Sequence, residues 1–303
     1  MRAPKGKVAE RLAGAPISWG VCEVPGWGVM LPRDRVLTEM RELGLKASEL
    51  GALGYLGDGP EEVRALLARY SLGSVGGFVP IALHEPERRQ QAEHDARRAA
   101  RLLSGSGGTY FVTAVVVDEA WSAPFELSAN QWDEVASEVA MVSKICEEHG
   151  LVQVVHPHVG TLVETHRHVQ ALIDRSDVKF CLDTGHFSIG GSDPVTFAVD
   201  HTPRVGLVHL KDVDMSLAPS VRAHEISLLE ATKAGLFRAL GRGDVDVAAV
   251  VEALEAHDYE GWYVLEQDTT IDEALAGTVD PGADVRESIN YLLGATAPER
   301  TDR

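Results

Sequence analysis

Apolar residues along the chain gather into short strand-like runs, separated by longer stretches in which they recur at helical spacing. The runs are "RLAGAPISWG" (11–20), "LKASELG" (45–51), "SVGGFVPIAL" (74–83) and "TYFVTAVVV" (109–117), then "LVQVVHPH" (151–158), "VKFCLDTGH" (178–186), "RVGLVHLKDVD" (204–214) and "GWYVLEQD" (261–268). Between the first two, "RDRVLTEMRELG" puts Val36, Met40 and Leu43 at helical spacing and stops at Gly44. "GPEEVRALLARYSLG" predicts a second helix, and an Arg/Ala-rich stretch over 86–103 a third. The fourth carries the clearest signature. Ser128 and Gln131 make a capping box, and Trp132, Val135, Val139 and Val142 form one apolar face ending at Gly150. Strands alternating with helices imply a parallel sheet with crossover helices. Eight such units in 303 residues predict a (β/α)8 TIM barrel.

No repeat of 20–50 residues and no low-complexity linker divides the chain, so residues 1–303 read as a single domain. The one long interruption, 212–243, is too polar and irregular for a single helix. A loop beyond about 15 residues in a compact domain is usually functional or disordered, so it is expected to be a mobile lid. The tail "APERTDR" is expected to fray.

In a barrel strand alternate residues face inward, and catalytic groups sit at the C-terminal ends. Counting by twos gives Val152, Val154, His156 and His158 on the fifth strand, and Lys179, Cys181 and Asp183 on the sixth. The seventh gives Val205, Leu207, His209 and Lys211, the eighth Trp262, Val264, Glu266 and Asp268, and the second Leu45, Ala47 and Glu49. Each set turns from mostly apolar to polar toward the top. His156, Asp183, His209 and Glu266 therefore converge from four successive strands. Taken singly, a strand-end histidine is more often structural and a strand-end carboxylate more often a cap. Two imidazoles and two carboxylates at one level instead match a divalent cation, with Mn²⁺, Co²⁺ or Fe²⁺ favoured and Zn²⁺ or Mg²⁺ admissible.

Charge narrows the partners. With 46 acidic against 28 basic residues the net charge is −18, and such a field repels a phosphodiester polymer, so no nucleic-acid partner is expected. No window of about 20 apolar residues exists for a membrane span, and the N-terminus lacks the apolar core of a secretory signal. Three cysteines, Cys22, Cys146 and Cys181, without CxxC spacing fit a reducing cytoplasm.

"HPHVGTLVET", "CLDTGH", "GGSDP", "VHLKDV" and "GLFRALGRGDVDVAAVVEALEAHDYEGWYVLEQD" resemble, in order and spacing, the myo-inosose-2 dehydratases, members of the xylose isomerase-like TIM barrels together with sugar isomerases and epimerases. "GAPISWG" and "ASELGALGYLGDGPEEV" are similar to that group too, so the resemblance runs from about residue 13 to 293. It implies one divalent metal, held by Asp183, His209 and Glu266, that binds a small polyol ketone; a homo-oligomer is expected. His156 stands where isomerases and epimerases usually carry a glutamate, as it does in the dehydratases. "LGRGD" replaces a pattern closer to "PGDG" and adds Arg242, an expected substrate contact.

The reaction expected is dehydration of a cyclic keto-polyol, an inosose, by α-proton abstraction and β-elimination of water. It needs a base for the α-proton and an acid for the departing hydroxide. His158 is the first choice for proton transfer. Lys211 and Glu49 are further candidates, with rim pairing to Asp212 or Asp214 the alternative for Lys211. His186 is expected to bind a substrate hydroxyl or to support Asp183. Trp19 or Trp27 is a candidate apolar wall against the ring, with core packing the alternative. An isomerase or epimerase of a keto-sugar or inosose is the second reading. An abasic-site endonuclease is disfavoured by the charge, and a non-catalytic polyol-binding barrel is the remaining class.

Overall fold

A computed structural model describes residues 7–294 except Glu23; the tail "APERTDR" lies outside them. Eleven strands are ordered β1 Leu12–Gly14, β2 Ala47–Ser48, β3 Gly73–Ser74, β4 Gly76–Ala82, β5 Tyr110–Val116, β6 Val152–Val155, β7 Lys179–Asp183, β8 Val205–Leu210, β9 Asp212–Val213, β10 Phe237–Arg238 and β11 Tyr263–Leu265. Nine form one parallel sheet in the order β3-β2-β1-β11-β8-β7-β6-β5-β4. The two ends of that sheet are one strand interrupted at Val75. Its amide donates to Ser48 on one side, and its carbonyl accepts from Thr109 and Tyr110 on the other. The sheet therefore closes into the expected eight-membered barrel. Gly76 makes the break possible: its φ is +154°, and a Cβ there would lie 2.0 Å from the Tyr110 carbonyl oxygen.

Helices follow the strands in turn: α1 Arg33–Glu42, α2 Pro60–Arg69, α3 Arg89–Gly105, α4 Ala129–Glu148, α5 His166–Ile173, α6 Thr184–Ile189, α7 Pro194–His201, α8 Ala218–Arg222, α9 Leu228–Lys233, α10 Val247–Ala256 and α11 Pro281–Leu292. The capping box at α4 is made as the sequence predicts, with Gln131 accepting from the Ser128 amide at 3.0 Å.

Two apolar layers result. Ala47, Val154, Cys181, Leu207, Trp262 and Val264 fill the barrel interior in the parity read from the sequence, joined by Ala13 and Val112, whereas Leu45 and Val205, counted on the same faces, pack in the outer layer. The larger outer layer packs helices on the sheet and includes Trp19, Met40, Phe111, Val139, Leu182 and Leu254.

The strands are shorter than the apolar runs, for identifiable reasons. β6 stops before Pro157, which has no amide for the ladder. β7 stops at Asp183 because that residue caps α6. The first run folds as β1 followed by a 3-10 turn, Pro16–Trp19.

The interruption at 212–243 is folded rather than irregular. β9 pairs antiparallel with β10, and α8 and α9 lie between them. The fully buried Asp212 carboxylate accepts from the amides of Gly241 and Gly243, 2.9 Å each, and from Val245 at 3.0 Å. With the Val213 amide, also at 2.9 Å, four backbone donors on one buried carboxylate pin both ends of the excursion.

Candidate active site

The polar top of the barrel begins with Asp183, which is fully buried. One oxygen caps α6 by accepting from the His186 amide at 2.8 Å. The other is thereby turned inward, 3.3 Å from His156 Nε2, 3.4 Å from Lys211 Nζ and 3.7 Å from His209 Nδ1. Burial works against its charge, but Lys211, His186 and the two imidazole contacts outweigh it and hold the carboxyl well below its usual range.

His209 is the hub. Its Nε2 sits 3.0 Å from Glu49 on β2's extension, and its Nδ1 2.7 Å from Glu266 above β11. The second approach lacks hydrogen-bond geometry and leaves Nδ1 without a bonded partner, as is Nδ1 of the buried His156. Burial disfavours the His209 cation, yet the carboxylates of Glu266, Glu49 and Asp183 raise its pKa well above normal.

Lys211 is entirely buried, its ammonium 2.8 Å from Glu266, 3.0 Å from Asp268 and 3.1 Å from His186 Nε2. Desolvation opposes its charge, and Asp183, Asp268 and Glu266 override that and raise its pKa. The expected rim pairing with Asp212 or Asp214 is absent among the described residues: Asp212 is committed to backbone amides, and Asp214 pairs with Arg238 at 3.2 Å. The lysine stem passes over Gly185, where a Cβ would stand 2.9 Å from Lys211 Cγ; the glycine of "DTGH" makes that passage possible.

His158 follows Pro157 in the loop above β6. Its Nδ1 lies 2.7 Å from the Val159 carbonyl oxygen, which can only accept, so Nδ1 carries the hydrogen and Nε2 keeps a lone pair. Burial, with His156 and Lys211 adding like charge, pushes its pKa down to about 3, so the ring is neutral at physiological pH. His186 packs against it at 3.9 Å between centroids and accepts from the Val159 amide at 3.3 Å.

These donors suit a cation. Asp183, Glu266 and Asp268 face the buried Lys211 ammonium, Glu49 lies against His209, and Nδ1 of both His156 and His209 has no hydrogen-bond partner. Glu49, His209 and Glu266 offer ligand atoms within 4.8 Å of one another, as do His156, Cys181 and His209. Burial pushes the Cys181 thiol up to about 12, so without a bound cation it is a neutral donor.

Two expectations are corrected. Trp19 is no wall for a ring: it is fully buried in the outer apolar layer, and its indole nitrogen donates to Glu39 on α1 at 2.7 Å. Trp27 is likewise buried, bonded to the Thr269 carbonyl at 2.9 Å. Arg242 does not reach the histidines. The turn around it is fixed from within by Asp212, which sends the side chain outward to Glu287 on α11. It lines an open groove of about 610 Å³ with Asp214, Arg238 and Asp284, and no member of the histidine cluster borders that groove.

Other site residues escaped the sequence reading. Asp268 continues the inward parity of Glu266, a signal that was present. Phe237 of β10, 5.0 Å beneath the Lys211 ammonium, and Phe78 and Trp121, beside His156 and His158, come from elements whose approach only the fold reveals.

The model of the xylose isomerase-like TIM barrel family matches residues 37–294. The chain belongs to that family. Among curated relatives, an inosose dehydratase of Geobacillus kaustophilus (strain HTA426) is 30% identical over 295 residues, covering 93% of this chain and 94% of the relative. The rhizopine catabolism protein MocC of Rhizobium meliloti is 30% identical over 277 residues, covering 87% and 83%. A solved D-allulose 3-epimerase from Methylomonas sp. superposes with a TM-score of 0.68 at 17% identity over 98% of this chain and 99% of that one. No helix among the described residues is long and apolar enough to cross a membrane.

The outer part of the 212–243 excursion leans on the loop above β6, with His224 3.9 Å from the buried Glu164. Arg222 through Glu225 are exposed, and His224 holds a φ of +55°. Limited proteolysis should cut first at 222–225, and a keto-polyol ligand should slow that cut if the excursion closes over the mouth. Equal rates with and without ligand would make it a fixed wall.

Proposed function

We propose that the protein is a metal-dependent hydro-lyase that removes water from a cyclic keto-polyol, an inosose. The observation that carries this reading is the neutral His158, with a free Nε2 lone pair, set beside a buried donor set of two imidazoles and several carboxylates. The inosose dehydratase relative, matched over 93% of this chain, supports the substrate.

His156, Asp183, His209 and Glu266 would hold the cation, with Glu49 beside His209. A divalent ion at this position supplies Lewis acidity toward a ketone oxygen and its neighbouring hydroxyl. His158 Nε2 accepts the α-proton. The Lys211 ammonium, oriented by Asp268 and Glu266, donates toward the departing hydroxide. Burial, with Lys211 opposing it and Glu266 adding to it, pushes the Asp268 carboxyl up to about 6, which suits it to return a proton to that lysine. Burial of the whole set excludes bulk water.

Epimerisation is the second reading, because the solved epimerase shares the fold and Glu49 brings a second carboxylate to His209. Incubating Mn²⁺- or Co²⁺-loaded protein with scyllo-inosose and following products by mass separates the two. Loss of water supports dehydration. Unchanged mass apart from solvent deuterium at the α-carbon would replace it with epimerisation, and no change in either would leave a binding barrel.

A further inference from the structure

Phe78 of β4 and Trp121, in the loop after β5, lie nearly parallel, 8° between planes and 6.1 Å between centroids. Phe78 meets His156 edge-on at 5.8 Å and His158 at 5.6 Å, and Trp121 meets His158 at 5.9 Å. The pair thus continues the histidine cluster outward as an aromatic strip. Both rings are half-buried. The other four tryptophans, Trp19, Trp27, Trp132 and Trp262, are buried at 7% exposure or less. Trp121 is also held in a left-handed conformation, φ +56°, that costs a bulky residue energy. The turn is fixed by Asp118, which accepts from the amides of Ala120 at 2.9 Å and Ser122 at 3.1 Å.

We infer that Phe78 and Trp121 form the specificity subsite for the C–H face of a ring, so that the protein selects cyclic over open-chain keto-polyols. The inference rests on the dehydratase reading of the site. A cyclohexane polyol with equatorial hydroxyls carries its polar groups round the rim and presents axial C–H bonds above and below. A half-buried aromatic pair beside the proton-transfer histidine covers such a face, while the polar cluster takes the rim. An open-chain polyol offers no preformed apolar face, and ordering its rotors against the strip costs conformational entropy.

The test uses the metal-loaded protein, with scyllo-inosose as the cyclic probe and erythrulose, a ketose too short to close a stable ring, as the open one. Acrylamide quenching of tryptophan emission reads Trp121, the one tryptophan that solvent reaches. Saturating scyllo-inosose should remove the quenchable fraction, and erythrulose at equal concentration should not. Trp121→Ala should raise the KM for scyllo-inosose roughly tenfold with kcat changed less than about threefold, and Trp121→Phe should restore most of the affinity. Unchanged KM in Trp121→Ala, or full quenching while scyllo-inosose is being turned over, overturns the subsite and leaves dehydration standing. Protection by scyllo-inosose without loss of water keeps the subsite and overturns dehydration. Neither protection nor turnover overturns both.

Discussion

Asp183→Ala should strip the protein of its divalent ion and lower turnover of an inosose by at least about a thousandfold. Among the described residues, this carboxylate is the one acidic group that faces His156, His209 and Lys211 together. Removing it leaves Lys211 with less compensation in a dry site, and loss of one member of a buried charge pair costs on the order of 3–5 kcal/mol. The same side chain caps α6, worth roughly 1 kcal/mol more. The alanine variant should therefore melt earlier. Asp183→Asn keeps a cap oxygen for the His186 amide and removes only the charge, so it should fold closer to normal and still lose the metal. Elemental analysis after desalting is the decisive measurement. A full metal complement in the folded asparagine variant would remove Asp183 from the ligand set.

His156→Glu should reduce dehydration by roughly a hundredfold or more, because a ligand displaced by about 1 Å carries that order of penalty. The site already holds Glu49, Asp183, Glu266 and Asp268, and a fifth carboxylate replaces an imidazole at 1% exposure. Metal content should persist, since glutamate also ligates, while the balance of chemistry shifts. With a carboxylate on the His156 side and Glu49 across His209, proton exchange at the α-carbon should rise relative to loss of water. Deuterium uptake from solvent, measured beside product mass, gives that ratio. A variant that dehydrates at the parent rate would show that His156 neither holds the ion nor limits the reaction.

The parity of the strands was legible because a barrel imposes a period of two and a sharp change from apolar to polar at one end. Val154, Cys181, Leu207 and Val264 lie inside as counted, and His156, Asp183, His209 and Glu266 follow them upward into one cluster. Asp268 was readable by the same count. Its partner Lys211 was visible too, but the buried Asp268–Lys211–Glu266 arrangement depends on neighbouring strands and was not. Trp19 misled because a tryptophan at a predicted strand top looks available; the chain turns at Pro16 and sends the ring to α1. Arg242 misled for a related reason. Its turn is shaped by Asp212, thirty positions earlier, and nothing local announces that bond.

Local rules were enough to determine alternation, helix starts such as Ser128, and which residues face the barrel interior, since each depends on periodicity or on a hydrogen bond spanning a few residues. What only the tertiary structure decided were contacts between distant segments. The barrel closes through the break at Val75, where two neighbouring strands share one residue's amide and carbonyl. Trp121 reaches His158 because a turn held by Asp118 folds the loop after β5 back over β4. His158 owes its neutrality to burial beneath neighbours drawn from several strands. Burial and cross-strand charge arise from packing, and so the shifted protonation equilibria of the cluster exist only in the folded barrel.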